Sequence, residues 1–218
     1  QACCVIDPEG NLPRTRRTME DFLQPYISTW SWEAHVGAMP TEDTVRTMLE
    51  KSSLFVYCGH GAGERMYDAH RLQHVQPSCP NALLWGCSSG KLRVRGVHDP
   101  QGPALAYLMG GAAWSVGNLW DVTDKDIDRL SMKCMRALFK KLHSKSQTKE
   151  EQRSKRNDQS YGNNEDITGV VNENDKENEN GNGVQPALAL AISRSVCKMK
   201  MAVGAAPVMY GLPQVVNL

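Results

Sequence analysis

Two residues have the types and settings from which covalent peptide chemistry can be built: Cys87 in Gly86-Cys87-Ser88-Ser89-Gly90, and His60 in Gly59-His60-Gly61-Ala62-Gly63. A thiol attacks a carbonyl only as thiolate, and an adjacent imidazole promotes that form and later protonates the departing amine. Each residue follows a short apolar run, Leu54 to Cys58 before the histidine and Ala82 to Trp85 before the cysteine. Such runs read as strands buried on both faces of a parallel sheet, and reactive groups gather at the carboxyl ends of those strands. A helix-length crossover between the runs makes the strands neighbours, so the two side chains can meet. The surrounding glycines let backbone N–H groups turn towards an incoming carbonyl. The amides of Gly61 and Cys87 are the expected oxyanion donors, each worth roughly 3 kcal/mol. Taken singly, a strand-end Cys reads as a small buried hydrophobe and a His in a glycine-rich loop as a turn residue. The pairing in matched settings carries the catalytic reading.

The elements that must hold this pair are legible on both sides of it. Ala2 to Ile6 and Ala113 to Trp120 are two further apolar runs, giving four strands. Helical segments fall between them: Thr18 to Leu23 with an Asp at the capping-box position, Glu42 to Lys51 behind Thr41, and Pro103 to Met109 closed by Gly110 and Gly111. A longer helix starts at Thr123 or Asp124, because Ile127, Leu130, Cys134, Leu138 and Leu142 recur on one face, widened by Met135 and Phe139. Strand alternating with helix means an α/β fold. From about Ser144 to Gln185 the chain turns to Lys, Glu, Asn, Asp, Ser and Gly and is expected to be a disordered insertion. Order resumes with a helix over Pro186 to Met201 and an extended segment from Ala205 to Val216. The expected organisation is a core over 1–143, the insertion over 144–185, and a helix and strand over 186–218 that complete the core.

A chain of 218 residues with 40% hydrophobic content suits one domain with a real core. With 25 Lys and Arg against 24 Asp and Glu, nothing global points to a nucleic-acid or membrane partner. Seven scattered cysteines without a C-x-x-C pair disfavour a disulfide framework or structural zinc and fit a reducing compartment, the cytoplasm and nucleus. No signal peptide or long apolar span is seen, and a start at Gln1 inside an apolar run reads as the C-terminal piece of something larger.

Three other patterns compete. Gly86-Cys87-Ser88-Ser89-Gly90 also satisfies G-x-S-x-G, a serine-hydrolase elbow with Ser88 as nucleophile, which would need Asp121 and His143 as acid and base. His143, however, falls at the end of the long helix rather than in a loop. Gln1-Ala2-Cys3 begins like a caspase signature but lacks the following Gly and an upstream His. Cys58-x-His60 as a metal pair has no second pair to complete it. A catalytically silent scaffold, whose loops only bind a partner, is the alternative outside enzymes.

Tyr57-Cys58-Gly59-His60-Gly61-Ala62-Gly63, Leu83-Leu84-Trp85-Gly86-Cys87-Ser88-Ser89-Gly90, the run from Gly117 to Arg129 and the tail from Ala205 to Pro213 resemble the separases, endopeptidases of the caspase-like clan that open cohesin rings at anaphase. The resemblance implies a caspase-like three-layer sandwich, a mainly parallel sheet with helices on both faces. It also implies a His60 and Cys87 dyad without cofactor or metal, and cleavage after Arg in E-x-x-R sites of the cohesin kleisin subunit. Securin is the implied inhibitor, held in the family by a long helical N-terminal region that lies outside this chain. The polar insertion is longer than the family leads one to expect. An Arg pocket needs a carboxylate to receive the guanidinium fork. Asp128 is the first choice by resemblance, and Asp121 the second by its place at a strand end; a carboxylate in the first turn of a helix can also serve the helix alone. Arg65, Lys91, Arg93 and Arg95 are candidates for the substrate's acidic residue, although such charges commonly form a solvated face. Lys176-Glu177-Asn178 reads as a possible degron in a stretch whose composition produces the triplet by chance.

Overall fold

A computed structural model describes residues 1–94, 96–97, 99–139 and 184–212. Arg95, His143, the degron triplet and nearly all of the polar stretch lie outside them. Strands β1 (Ala2–Ile6), β2 (Glu33–Val36), β3 (Leu54–Cys58), β4 (Asn81–Leu84), β5 (Trp114–Asn118) and β6 (Pro207–Gly211) form one sheet in the order β2-β1-β3-β4-β5-β6. The first five run parallel, and β6 returns antiparallel to β5, with Asn118 opposite Pro207 and Trp114 opposite Gly211. Every residue of β1, β3 and β5 is buried, which is why β1 and β3 read as unbroken apolar runs rather than alternating ones, while β5 buries the polar Ser115 and Asn118 as well.

Alternate side chains nevertheless serve different layers. Ala2, Cys4, Ile6, Val56, Leu83 and Val116 pack against α1 (Pro13–Trp30), α5 (Asp124–Leu138) and α6 (Pro186–Ser193). Cys3, Val5, Phe55, Tyr57, Ala82 and Leu84 pack on the other face against α2 (Glu42–Lys51), α3 (Ala69–Leu72) and α4 (Pro103–Met109). The result is the three-layer, mainly parallel sandwich that the resemblance implies.

Local chemistry explains the helix limits. Thr41 accepts from the Thr44 N–H at 3.2 Å, with Glu42 and Asp43 in the first turn of α2 and Lys51 in its last. The first helix runs from Pro13 rather than Thr18, so Thr18 and Asp21 lie inside it and form no capping box. Proline at the first position needs no N–H partner there. The C-terminal helix also departs from expectation. It ends at Ser193, gives way to a 3-10 turn over Arg194–Val196, and is followed by a π-type turn over Lys200–Gly204. Arg194 draws these turns together by donating to the carbonyls of Gly204 and Pro207. Among the described residues no helix is long and apolar enough to cross a membrane.

Candidate active site

The site lies where β3 and β4, paired in parallel, leave the sheet side by side. His60 follows β3 and Cys87 follows β4, and both line one cavity with Leu12, Thr15, Gly86, Val122, Asp124 and Asp128. Gly86 sets how closely the two loops approach, because a Cβ there would land on the carbonyl oxygens of Gly59 and Gly61. Only glycine permits that contact. Gly61 itself sits at φ 60°, the left-handed region, and turns the chain straight after the histidine.

Cys87 is the one cysteine of the seven that is not buried. Burial pushes the thiols of Cys3, Cys4, Cys79 and Cys134 up to about 12, and that of Cys58 well above its ordinary value. These are inert core groups. The Cys87 sulfur sits between the backbone groups of Val122, with the N–H at 3.4 Å and the carbonyl at 3.3 Å. His60 is exposed at the cavity mouth; its carbonyl accepts from the Tyr57 hydroxyl at 2.7 Å and its Nε2 lies 2.9 Å from Asn11 Oδ1. Neither the Gly61 nor the Cys87 N–H has a partner among the described residues. Both are therefore available to an oxyanion.

The nucleophile loop is fixed from β5. The buried Asn118 amide donates to the carbonyls of Trp85 at 3.1 Å and Gly86 at 2.9 Å. The Asn118 N–H donates to Ser89 Oγ, and that hydroxyl donates to the Leu84 carbonyl. In a trans peptide the N–H opposes the carbonyl, so holding the Gly86 carbonyl also aims the Cys87 N–H. Motif reading missed Asn118 because its role depends on pairing between β4 and β5.

The two candidate Arg receptors separate. Asp128 lies in the cavity wall, buried, and accepts from the Thr15 hydroxyl at 3.0 Å. Burial pushes its carboxyl up to about 6, against the pull of the Thr15 bond. Asp121 is exposed, lies off the cavity, and accepts from the Ser88 hydroxyl at 2.7 Å. That bond pairs Ser88 with a carboxylate; His143, the base that the serine-hydrolase reading needs, lies outside the described residues. Arg65 pairs with Glu9 at 3.0 Å beside a second hollow of about 350 Å³ on the other side of His60. Lys91 and Arg93 are exposed, and Arg93 joins a backbone bridge to Gln101. No group of His, Cys, Asp and Glu among the described residues could hold a metal ion.

The comparisons agree with this architecture. The family model described as "Separin, protease domain" matches residues 1–127. The separin of Saccharomyces cerevisiae is 34% identical over 210 residues, 96% of this chain and 11% of that protein. The separin of Mus musculus is 41% identical over 126 residues, 57% of this chain and 6% of that protein. The crystal structure of the Saccharomyces cerevisiae separase–securin complex at 2.6 Å matches with a TM-score of 0.73 and 31% identity, covering 97% of this chain and 12% of that one. The chain thus spans between 6% and 12% of the length of these relatives. It belongs to the separin protease-domain family.

Proposed function

We propose that this chain is the catalytic part of a thiol endopeptidase that cuts after Arg in E-x-x-R segments of the cohesin kleisin subunit and so releases sister chromatids. The observation that carries the reading is a single cavity lined by His60, Cys87 and the buried carboxyl of Asp128. Cys87 attacks the carbonyl carbon of the Arg residue. The oxyanion settles on the N–H groups of Gly61 and Cys87, and His60 protonates the departing amine. Water, deprotonated by His60, then hydrolyses the thioester and regenerates the thiol. Asp128 receives the guanidinium of the Arg.

The cavity has space for little more than a water molecule, about 20 Å³. Admission of an Arg side chain therefore requires the cavity walls to yield, and two of the lining residues, Leu12 and Val122, sit on irregular backbone. Securin is the proposed inhibitor; it is the named companion of the yeast separase in the matching crystal structure. A longer helical N-terminal region is the proposed holder of securin. Seven unpaired cysteines support action in the reducing cytoplasm and nucleus.

Cleavage of a fluorogenic E-x-x-R peptide by wild type, Cys87→Ala and Ser88→Ala tests the reading, with folding checked for each. Activity is expected to vanish in Cys87→Ala and to persist in Ser88→Ala. Loss confined to Ser88→Ala would replace the thiol mechanism, and a folded wild type with no activity would favour a silent scaffold.

A further inference from the structure

We infer that Asn11 is a positioning residue that orients His60 and sets which ring nitrogen carries the proton. The inference rests on the dyad proposed above. Asn11 Oδ1 lies 2.9 Å from His60 Nε2. An amide oxygen only accepts, so the contact places a proton on Nε2 and leaves Nδ1 as the basic nitrogen. An imidazole on a glycine-flanked, exposed loop is otherwise free to rotate about its side-chain torsions. The Asn11 contact is the side-chain hydrogen bond that restrains it among the described residues. Among the described residues Asn11 makes no hydrogen bond to the Cys87 thiol, whose partner is Val122, so its effect on the dyad runs through His60.

The loop that carries Asn11 is itself built to hold it there. Asp7 follows β1, is fully buried and adopts φ 47°, a left-handed conformation that a non-glycine residue holds only when its surroundings impose it. Its Oδ1 accepts from the N–H groups of both Asn11 and Leu12 at 3.0 Å. The Asp7 N–H donates to the Cys58 carbonyl at 2.7 Å, two residues before His60. The Asn11 loop and the His60 loop are thus joined at their bases by backbone and at their tips by the amide–imidazole contact. Arg16 lies 3.9 Å from the second Asp7 oxygen and compensates its charge.

The same contact makes a pH prediction that a merely structural role does not. The ionisable groups around His60 are Cys58, Cys87, Asp124 and Asp128 across the cavity, and Tyr57, Glu64 and Glu9 with its partner Arg65 along the second hollow; burial raises Cys58 and Tyr57 and keeps both neutral. Asn11 adds no charge to this set. Converting it to Asp keeps an acceptor oxygen at Nε2 but adds a negative charge that favours the imidazolium. The imidazolium should then persist to higher pH.

The test measures the rate of Cys87 alkylation by iodoacetamide and of E-x-x-R peptide cleavage against pH, for wild type, Asn11→Ala, Asn11→Asp and His60→Ala. Cys87 is the one thiol that is not buried, which makes the alkylation site-selective in the folded chain. Asn11→Ala is expected to lower kcat about 10- to 100-fold with KM within about twofold, because the imidazole loses its aim. Asn11→Asp is expected to recover activity above Asn11→Ala and to move the alkaline limb of the cleavage profile, where the imidazolium is lost as general acid, up by about one pH unit. Wild-type rates in Asn11→Ala, or an unmoved alkaline limb in Asn11→Asp, would overturn the inference while leaving the dyad intact. Alkylation of Cys87 that ignores His60→Ala would overturn the dyad, and the role of Asn11 with it.

Discussion

Burial of the Asp128 carboxyl sets two effects of pH against each other. Its pKa rises from 3.8 to about 6 chiefly through desolvation, so the folded domain prefers this group protonated. The sign follows from linkage: the stabilising contribution is full below the unfolded value of 3.8 and is lost as pH rises through about 6. At neutral pH the free domain therefore carries a buried carboxylate that costs stability. Asp128→Asn, which keeps the shape and removes the charge, is expected to stabilise the free domain at pH 7 by about 1–2 kcal/mol, read from urea melts. It is also expected to abolish Arg-peptide cleavage, because a neutral amide cannot answer a guanidinium. In the wild type, kcat/KM for Arg substrates should fall as pH drops through about 6. Cleavage that survives Asp128→Asn would move the Arg receptor elsewhere. The Thr15 hydroxyl, 113 residues away in sequence from its carboxylate partner, could not have been matched to it before the fold was known.

At the scale of elements, the nucleophile loop is only as well placed as its ties to β5. Asn118→Ala would leave the buried Trp85 carbonyl without its donor and the Gly86 carbonyl with only a long 3.4 Å contact from the Ser89 N–H, a loss of about 1–3 kcal/mol. It should also lower kcat more than KM, since the Cys87 N–H is no longer fixed for the oxyanion. Equal falls in Tm with unchanged kcat would reduce Asn118 to a structural brace. Much of this frame was legible beforehand. The unbroken runs at Ala2–Ile6, Leu54–Cys58 and around Leu83 are strands because both their faces are covered, and Thr41 caps α2 as its sequence pattern requires. What escaped notice lacked a local signal. Strand β2, Glu-Ala-His-Val, is a partly buried edge whose only mark is its register against Cys3 to Ile6. The start of α1 was set by Pro13, while Pro25 within the helix obscured its length. Likewise His60 and Cys87 stand out by their glycine settings, whereas Asn11 and Asn118 gain their roles only when separate strand ends are brought together.

The whole molecule depends on its last described segment to close one of its two cores. Helix α6 lays Ala189 and Leu190 against α5, and Cys197, Val203 and Ala206 follow them into the interior. Asp126, in the first turn of α5, accepts from the Met199 N–H at 2.8 Å, and the Trp120 indole donates to the Ala202 carbonyl at 2.6 Å. The segment thus braces the β5–α5 connection that supplies Val122, Asp124 and Asp128 to the cavity. Strand β6 also covers the edge of β5, whose Trp114 and Val116 are buried in the same core. A chain ending at residue 183 would uncover this α5 face and leave β5 as an open edge. It is expected to lose cooperative thermal unfolding and to bind hydrophobic dyes, behaviour of a collapsed chain without fixed packing. Supplying residues 184–218 as a separate peptide should restore a cooperative melt and Arg-peptide cleavage together, because the same contacts close the core and brace the site. Recovery of the melt without cleavage would separate the two and assign the bracing of the cavity to the covalent connection between α5 and α6.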